Sequence, residues 1–501
     1  MTAPFNDGPI QVADGHREHL RRGFNWLGGA TIAAKVIDFS TILIVLLFLT
    51  KAQVGTAAIV ISIAMVIEAF DGLGTAEALI QARSVSRSQL DTLFWFVTGA
   101  ATLVGALTLI AAPWIAALYG EPGMAAYFVA AAVKQPLVGA ALIPLAIMNR
   151  DLQYERIAMV NVAATLAAAL TRIALAVAGA GTWALVAGFA ASGLYTLIGT
   201  AIARPFWPAF RFRMAEIMPL VRFGLRAAAA NIFEQTFKNS AFLLIGWFYG
   251  AAPLAYYRVA SDVAMEPAIA VGTLINRTAL PVFARVAAFK DQLAQSLAWS
   301  VGRLTALVAP LAAGLFLAAG PLMALLHDEQ GNSYAAAALP LKILAAAAFL
   351  RVTLQALTPL MMASGRPGSA AALSASALVL VTAGIAAVGV TFGPATGIVA
   401  VSAVWLGVYP LLLVWGGFYL KRKWGISAWD LAPGLVAPLI AVAAMLAGVT
   451  LLGRLIGDMP PAIGLGVAVS ATGLAYAGLF LRSRRPEPVI PPPGPPPEPS
   501  R

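Results

Sequence analysis

The sequence predicts an all-α polytopic membrane protein of about fourteen transmembrane helices, with two pseudo-symmetric six-helix lobes and two further C-terminal helices. Composition is the first reason: 60% of the 501 residues are hydrophobic and 11% are charged, whereas a soluble domain carries about 25% charged residues. The second is block length. Apolar residues come in runs of about twenty or more, enough to cross roughly 30 Å of hydrocarbon as a helix, where a barrel would show alternating segments of about ten. The third is the placement of Lys and Arg outside those runs. They gather on the side shared by both termini, with Lys51 and Arg454 on the other, so the termini are expected in the cytoplasm. The same asymmetry accounts for the net charge of +11 without a nucleic-acid partner.

The elements follow in order. Residues 1–22 are polar and are expected to form a disordered cytoplasmic arm; no cleavable signal peptide is expected, so the first span directs insertion. Spans 1 (Phe24–Thr50) and 2 (Val54–Gln81) come next, with Gly72-Leu73-Gly74 in span 2 read as a packing or kink site. Spans 3 (Thr92–Leu118) and 4 (Met124–Met148) are joined by the turn signal Tyr119-Gly120-Glu121-Pro122. Spans 5 (Ile157–Ala178) and 6 (Thr182–Ala203) are joined by Gly179-Ala180-Gly181 and complete an N-lobe over residues 23–205.

A basic segment, Arg204 to Arg222, leads into a C-lobe over residues 206–423. Spans 7 and 8 cover Leu220–Pro281, and span 9 covers Leu297–Ala319. An external loop with His327-Asp328-Glu329 precedes span 10 (Ala338–Met362), and Arg366 precedes span 11 (Ala370–Val390). Span 12 (Ile398–Leu420) stops at Lys421-Arg422-Lys423. Spans 13 (Leu431–Leu452) and 14 (Ala462–Leu481) occupy residues 424–482, and residues 483–501 form a Pro-rich cytoplasmic tail of extended character. A weak repeat at an offset of about 200 residues supports the lobes: Arg22-Gly23-Phe24 stands against Arg222-Phe223-Gly224, and Lys35 with Asp38 against Glu234 with Lys238. Six spans separate the copies, so both insert with one orientation.

The charges inside the spans carry the functional reading, because each costs about 2.5–3.5 kcal/mol at the centre of a spanning helix and must face protein, water or cargo. The carboxylates Asp38, Glu68, Asp71, Glu234, Asp262 and Glu266 all lie in spans 1, 2, 7 and 8, the corresponding members of the two lobes; Glu77 sits at the interface. The candidate cavity bases are Lys35, Lys134, Arg172, Arg226, Lys238, Arg258 and Arg351. Arg226, Arg303 and Lys342 are within snorkelling reach of an interface. Helical spacing puts Lys35 with Asp38, Glu234 with Lys238, and Arg258 with Asp262 and Glu266 on common faces. Two readings stay open for these sets: internal salt bridges, or faces lining a hydrated cavity whose bases hold an anion and whose acids tune it or carry protons. Lys134, Arg172 and Arg351 have no acid at helical spacing, which points to an anionic ligand such as a phosphate.

Several chemistries are excluded. Cysteine is absent, which removes disulfides and thiolate metal sites; the three histidines, His16, His19 and His327, lie outside the spans and form no cluster. No P-loop and no large extramembrane domain is present to hold ATP, so no cofactor is expected and coupling to H+ or Na+ takes its place. Asn276-Arg277-Thr278 matches a glycosylation sequon but falls on the cytoplasmic side.

The sequence resembles the polysaccharide-transport (Wzx-like oligosaccharide flippase) family of the multidrug/oligosaccharidyl-lipid/polysaccharide flippase superfamily. The residues that carry the resemblance include Gly72-Leu73-Gly74-Thr75-Ala76-Glu77-Ala78-Leu79-Ile80-Gln81, Asp91-Thr92-Leu93-Phe94-Trp95 and Leu118-Tyr119-Gly120-Glu121-Pro122. Asn149-Arg150-Asp151-Leu152-Gln153-Tyr154, Val221-Arg222-Phe223-Gly224-Leu225 and Leu244-Ile245-Gly246-Trp247-Phe248-Tyr249-Gly250 add to it. It covers roughly residues 20–420. The resemblance implies two lobes around a cationic cavity, and a cargo of polyprenyl-pyrophosphate-linked oligosaccharide flipped across the bacterial inner membrane by alternating access. It implies surface-polysaccharide polymerase and export machinery as partners, besides the lipid bilayer. It transfers no invariant catalytic motif, so the site residues rest on the charge reading. A peptidoglycan-precursor flippase is the alternative, with a drug antiporter ranked below it. A glycan polymerase or glycosyltransferase ranks lowest, for want of a large soluble loop; a transporter, not an enzyme, is expected.

Overall fold

A computed structural model of the chain describes residues 14–482 apart from residues 71, 73, 83–84, 287–288, 365 and 457–459. Among these residues the architecture is helical, with one isolated bridge between His327 and Ser333. Twelve helices are long and apolar enough to cross a membrane. Two more, α8 (Met214–Tyr249) and α9 (Ala251–Val286), are 36 residues each and carry the embedded charges of spans 7 and 8. The chain forms two compact units: Met1–Arg258 with Asp328–Asn332, and Val259–His327 with Ser333–Arg501.

In the first unit α1 (Asp14–Leu46) packs on α6 (Tyr154–Val177), and α5 (Phe128–Arg150) lies between α4 (Arg87–Leu118) and α7 (Thr182–Ala203). The logic of these helices is visible in α4. Ser86 and Gln89 form a capping box at its start, and the helix then runs on through Pro113. Its buried stripe is small: Ala101, Gly105, Thr108, Ala112 and Ala116. Its exposed stripe is large and apolar: Leu103, Leu107, Ile110, Trp114 and Leu118. Large side chains face lipid, which is as apolar as they are, and small ones let backbones approach. A Cβ at Gly105 would stand 2.7 Å from the Ala132 carbonyl oxygen on α5.

Span 2 is not one helix. It divides into α2 (Lys51–Glu68) and α3 (Thr75–Gln81), with Gly74 left-handed at φ +66° before α3. A Cβ on Gly74 would fall 2.0 Å from the Gly224 carbonyl oxygen of α8, so the kink expected at Gly72-Leu73-Gly74 is a full break where two backbones touch. The counterpart in the repeat, α9, runs unbroken through Gly272. Leu79 of α3, Leu93 of α4, Ile143 of α5 and Ile217 of α8 close a buried cluster over this break.

At the chain start, α1 begins at Asp14. Residues 14–22 are therefore helical rather than part of an unstructured arm, since between Gly15 and Gly23 no Gly or Pro interrupts a run of helix-compatible residues. Residues 1–13 and the Pro-rich tail at 483–501 lie outside the described residues.

In the second unit α10 (Lys290–Leu325) packs against α11 (Ala338–Gln355), α15 (Ala428–Ile456) and α16 (Pro461–Arg482). Backbones meet at Gly302 and Gly434, where a Cβ on Gly434 would stand 2.4 Å from the Ala298 carbonyl oxygen. Span 10 is interrupted at Ala356 between α11 and the short α12 (Leu357–Ala363). The helix α13 (Pro367–Thr391) packs on α14 (Pro394–Trp424), which also contacts α11.

Candidate functional site

Among the described residues, two ion pairs of the first unit join one membrane-spanning helix to another. Arg172 of α6 reaches Asp38 of α1 with Nη1–Oδ1 at 3.1 Å. The pair borders an open cavity of about 350 Å³, which Lys35, Asn161, Thr165, Ser192 and Thr196 also line. The second pair joins Lys134 of α5 to Glu68, the last residue of α2, with Nζ–Oε1 at 2.6 Å. The Lys134 ammonium also stands 3.3 Å from the centroid of the Phe189 ring of α7. A cavity of about 210 Å³ lies beside Lys134 and shares Ser192 and Thr196 with the first. One polar face of α7 thus borders both cavities.

The same helix makes room for both bases. A Cβ on Gly188 would fall 2.1 Å from Arg172 Cγ, and a Cβ on Gly193 would fall 2.9 Å from Lys134 Cγ. These glycines let two long side chains cross α7 at depth. Thr171 of α6 and Tyr195 of α7 share a hydroxyl–hydroxyl bond of 2.9 Å nearby.

Lys134 and Arg172 have no acid at helical spacing, yet neither is unpaired. Their partners come from other helices, where sequence spacing says nothing. Lys35 joins Asp38 and Arg172 at the larger cavity. Glu234 and Lys238 pair at 2.6 Å as their spacing predicts, on an exposed face of α8. Arg258 lies over the Phe242 ring, 4.7 Å from guanidinium carbon to centroid. Asp262 and Glu266 follow it along α9 at four-residue intervals. Arg351 belongs to α11 in the second unit. Asp71 and the side chain of Arg226 lie outside the described residues.

The polar neutral residues Asn161, Thr165, Ser192 and Thr196 escape a reading built on charge. Their signal is present: each pair is four apart in an otherwise apolar helix. A third pair, outside the spans, is also missed. Lys51 at the start of α2 meets Asp328 at 3.0 Å. Asp328 Oδ1 also accepts from the backbone N–H groups of Gln330 and Asn332 at 3.0 and 2.7 Å. Burial pushes the Asp328 carboxyl up, but the Lys51 ammonium and the Asn332 donors outweigh it and hold the group below its ordinary range. Among the described residues no group of His, Asp or Glu is placed to hold a metal ion.

Comparison with known proteins adds to this geometry. A family model described as "polysaccharide biosynthesis protein" matches residues 44–336. The lipopolysaccharide biosynthesis protein WzxC of Escherichia coli K12 is 24% identical over 328 residues, 63% of this chain and 65% of that protein. The succinoglycan biosynthesis transport protein ExoT of Rhizobium meliloti is 22% identical over 294 residues, 59% of this chain and 60% of that protein. Each alignment thus spans less than two thirds of the relative's length. Among solved structures, the lipid II flippase MurJ in an inward closed conformation superimposes with a TM-score of 0.69 at 12% identity, covering 91% of this chain and 98% of that one. At that identity the likeness is one of fold.

Proposed function

The chain belongs to the polysaccharide biosynthesis protein family, and from that premise we propose that it is a flippase. Its cargo on this reading is a polyprenyl-pyrophosphate-linked oligosaccharide, moved from the cytoplasmic to the periplasmic leaflet of the bacterial inner membrane for surface-polysaccharide biosynthesis. The observation that carries the proposal is the pair of cavities in the first unit, which Lys35, Arg172 and Lys134 line from otherwise apolar helices. Bases placed within apolar spans attract a pyrophosphate, while the lipid tail stays against the large apolar side chains outside. Arg172 offers a planar fork of donors and Lys134 a point charge, the two forms in which proteins hold phosphate.

On the same reading the protein is a transporter rather than an enzyme and works by alternating access of an N-lobe over residues 23–205 and a C-lobe over 206–423. An H+ or Na+ gradient drives it, with Asp38, Glu68, Asp71, Glu234, Asp262 and Glu266 as the coupling or charge-pair carboxylates. Both termini lie in the cytoplasm, and polymerase and export machinery receive the flipped unit. Relatives named for lipopolysaccharide and succinoglycan biosynthesis support this cargo. The fold shared with a lipid II flippase keeps a peptidoglycan precursor as the second reading.

Reconstituted vesicles loaded with a lipid-linked oligosaccharide test it. Arg172→Ala, Lys238→Ala and Arg258→Ala are expected to lower flipping while leaving insertion and folding intact. Wild-type rates in all three, properly folded, would sink the site assignment. Deletion separates the two cargoes: loss of surface polysaccharide supports the first, and cell-wall collapse supports the second.

A further inference from the structure

The segment between α7 and α8, residues 204–213, is a short run rich in aromatic and basic residues, alternating from Phe210 to Arg213, that the transport reading leaves unused: Arg204-Pro205-Phe206-Trp207-Pro208-Ala209-Phe210-Arg211-Phe212-Arg213. It forms no helix or strand, yet its backbone is pinned at several points. Arg87 of α4 donates to the Trp207 carbonyl oxygen, and Trp95 Nε1 donates to the Ala209 carbonyl oxygen at 3.0 Å. Thr92 Oγ1 accepts from the Arg213 N–H at 3.2 Å. Arg204 is tied to Asp151 at 3.1 Å. Phe206 turns inward against Phe94 and the Arg87 guanidinium.

Three other aromatic side chains turn outward. Trp207, Phe210 and Phe212 are 84%, 91% and 60% exposed. Phe210 rests one face on the Trp95 ring, at 4.7 Å between centroids, and presents the other outward. A flexible loop would fold such groups away from water; a backbone held by side chains of α4 does not retract. The segment also continues an exposed apolar surface. Leu194, Ile198 and Ile202 form an exposed stripe along α7 at four-residue intervals, and Ile202 stands five residues before Trp207. Arg211 and Arg213 alternate with the outward aromatics, and Arg213 stays 70% exposed while paired to Glu216.

We propose that residues 204–213 are an interfacial anchor that seats Trp207, Phe210 and Phe212 at the headgroup–acyl boundary, with Arg211 and Arg213 on the phosphates of anionic phospholipids. Amphipathic aromatic rings collect at that depth, and basic side chains at a spanning helix end are drawn to anionic headgroups. The anchor requires the chain to span a membrane but does not depend on what is transported.

The chain has no cysteine, so single spin labels report position directly. Trp207→Cys and Phe210→Cys are each labelled in the full chain and reconstituted in phosphatidylethanolamine/phosphatidylglycerol vesicles. Ile202→Cys serves as the lipid reference and Gly331→Cys as the water reference. At both test sites oxygen collisions should exceed those of a water-soluble nickel chelate several-fold, as at the lipid reference. Adding Arg211→Gln and Arg213→Gln, or replacing the anionic lipid with phosphatidylcholine, should move both labels toward water. Collision rates like those of Gly331→Cys would overturn the anchor. So would labels shielded from both reagents, which would place a protein partner on this surface. Depth unchanged by the Arg substitutions and by lipid charge would overturn the role of the guanidinium groups. The two sites are read separately, so a folding defect in one leaves the other decisive.

Discussion

Lys134 and Glu68 pair between two apolar helices, where an unpaired charge is costly. The Lys134 side chain is 8% exposed and that of Glu68 is 23% exposed. Removing one member of a buried pair costs about 3–5 kcal/mol because the other charge is left uncompensated, and the partial exposure of Glu68 puts Lys134→Met toward the low end. Adding Glu68→Gln should recover most of that loss. Denaturant unfolding in detergent measures both; a double variant no more stable than the single would show that the pair contributes nothing. Asp328 gives a prediction in pH. Its carboxyl in the folded chain titrates below the ordinary range, so as pH falls the unfolded chain takes up the proton first. The stability it supplies is complete above the ordinary carboxylate pKa and is lost as pH falls through the lower, folded-state value. Melting midpoints of wild type and Asp328→Asn should therefore differ at neutral pH and converge in acid. A gap that persists through the acid range would separate the pair from the stability it is credited with.

Among elements, the broken span 2 and the glycine-lined α7 set the site. Glu68 reaches Lys134 from the very end of α2, just before the break that Gly74 makes possible. Two glycines with left-handed backbones make a controlled comparison. Gly74→Ala places a Cβ both at φ +66° and 2.0 Å from the Gly224 carbonyl oxygen, whereas Gly179→Ala meets only its φ of +75° with open space around it. The open site should lose about 1–2 kcal/mol, and Gly74→Ala clearly more, with α3 displaced from α8. Equal thermal shifts in the two variants would mean that the close approach to α8 carries no strain. The break was half legible beforehand: Gly72-Leu73-Gly74 marks a weak point in an apolar run, but the carbonyl of Gly224 that demands a glycine lies 150 residues away in the chain. The unbroken α9 shows the limit of the repeat, since similar charges in corresponding helices do not enforce similar backbones.

Across the whole molecule, the one-sided distribution of Lys and Arg predicts cytoplasmic termini, and the structure adds that Lys51 and Asp328 share one end of the first unit. The cysteine-free chain again allows a direct measurement. A membrane-impermeant maleimide should label Gly331→Cys in intact cells with an opened outer membrane, and should reach Lys423→Cys only after the inner membrane is permeabilised. The reverse pattern would place the termini outside and invert the proposed direction of flipping.

The sequence by itself determined the all-α membrane architecture and the helices that carry embedded charge. Those properties are written in run lengths, in composition and in residues three or four apart, and the bilayer leaves a helix few alternatives once a run is long enough. The pairing of Glu234 with Lys238 was legible for the same reason. Only the tertiary structure decided that Arg172 meets Asp38, that Lys134 meets Glu68, and that Gly188 and Gly193 clear the way for both bases. The two ion pairs join residues 66 and 134 apart in sequence, and no helical period spans those distances. What brings such side chains together is the packing of small residues along helix faces, which fixes which faces meet and therefore which charges do.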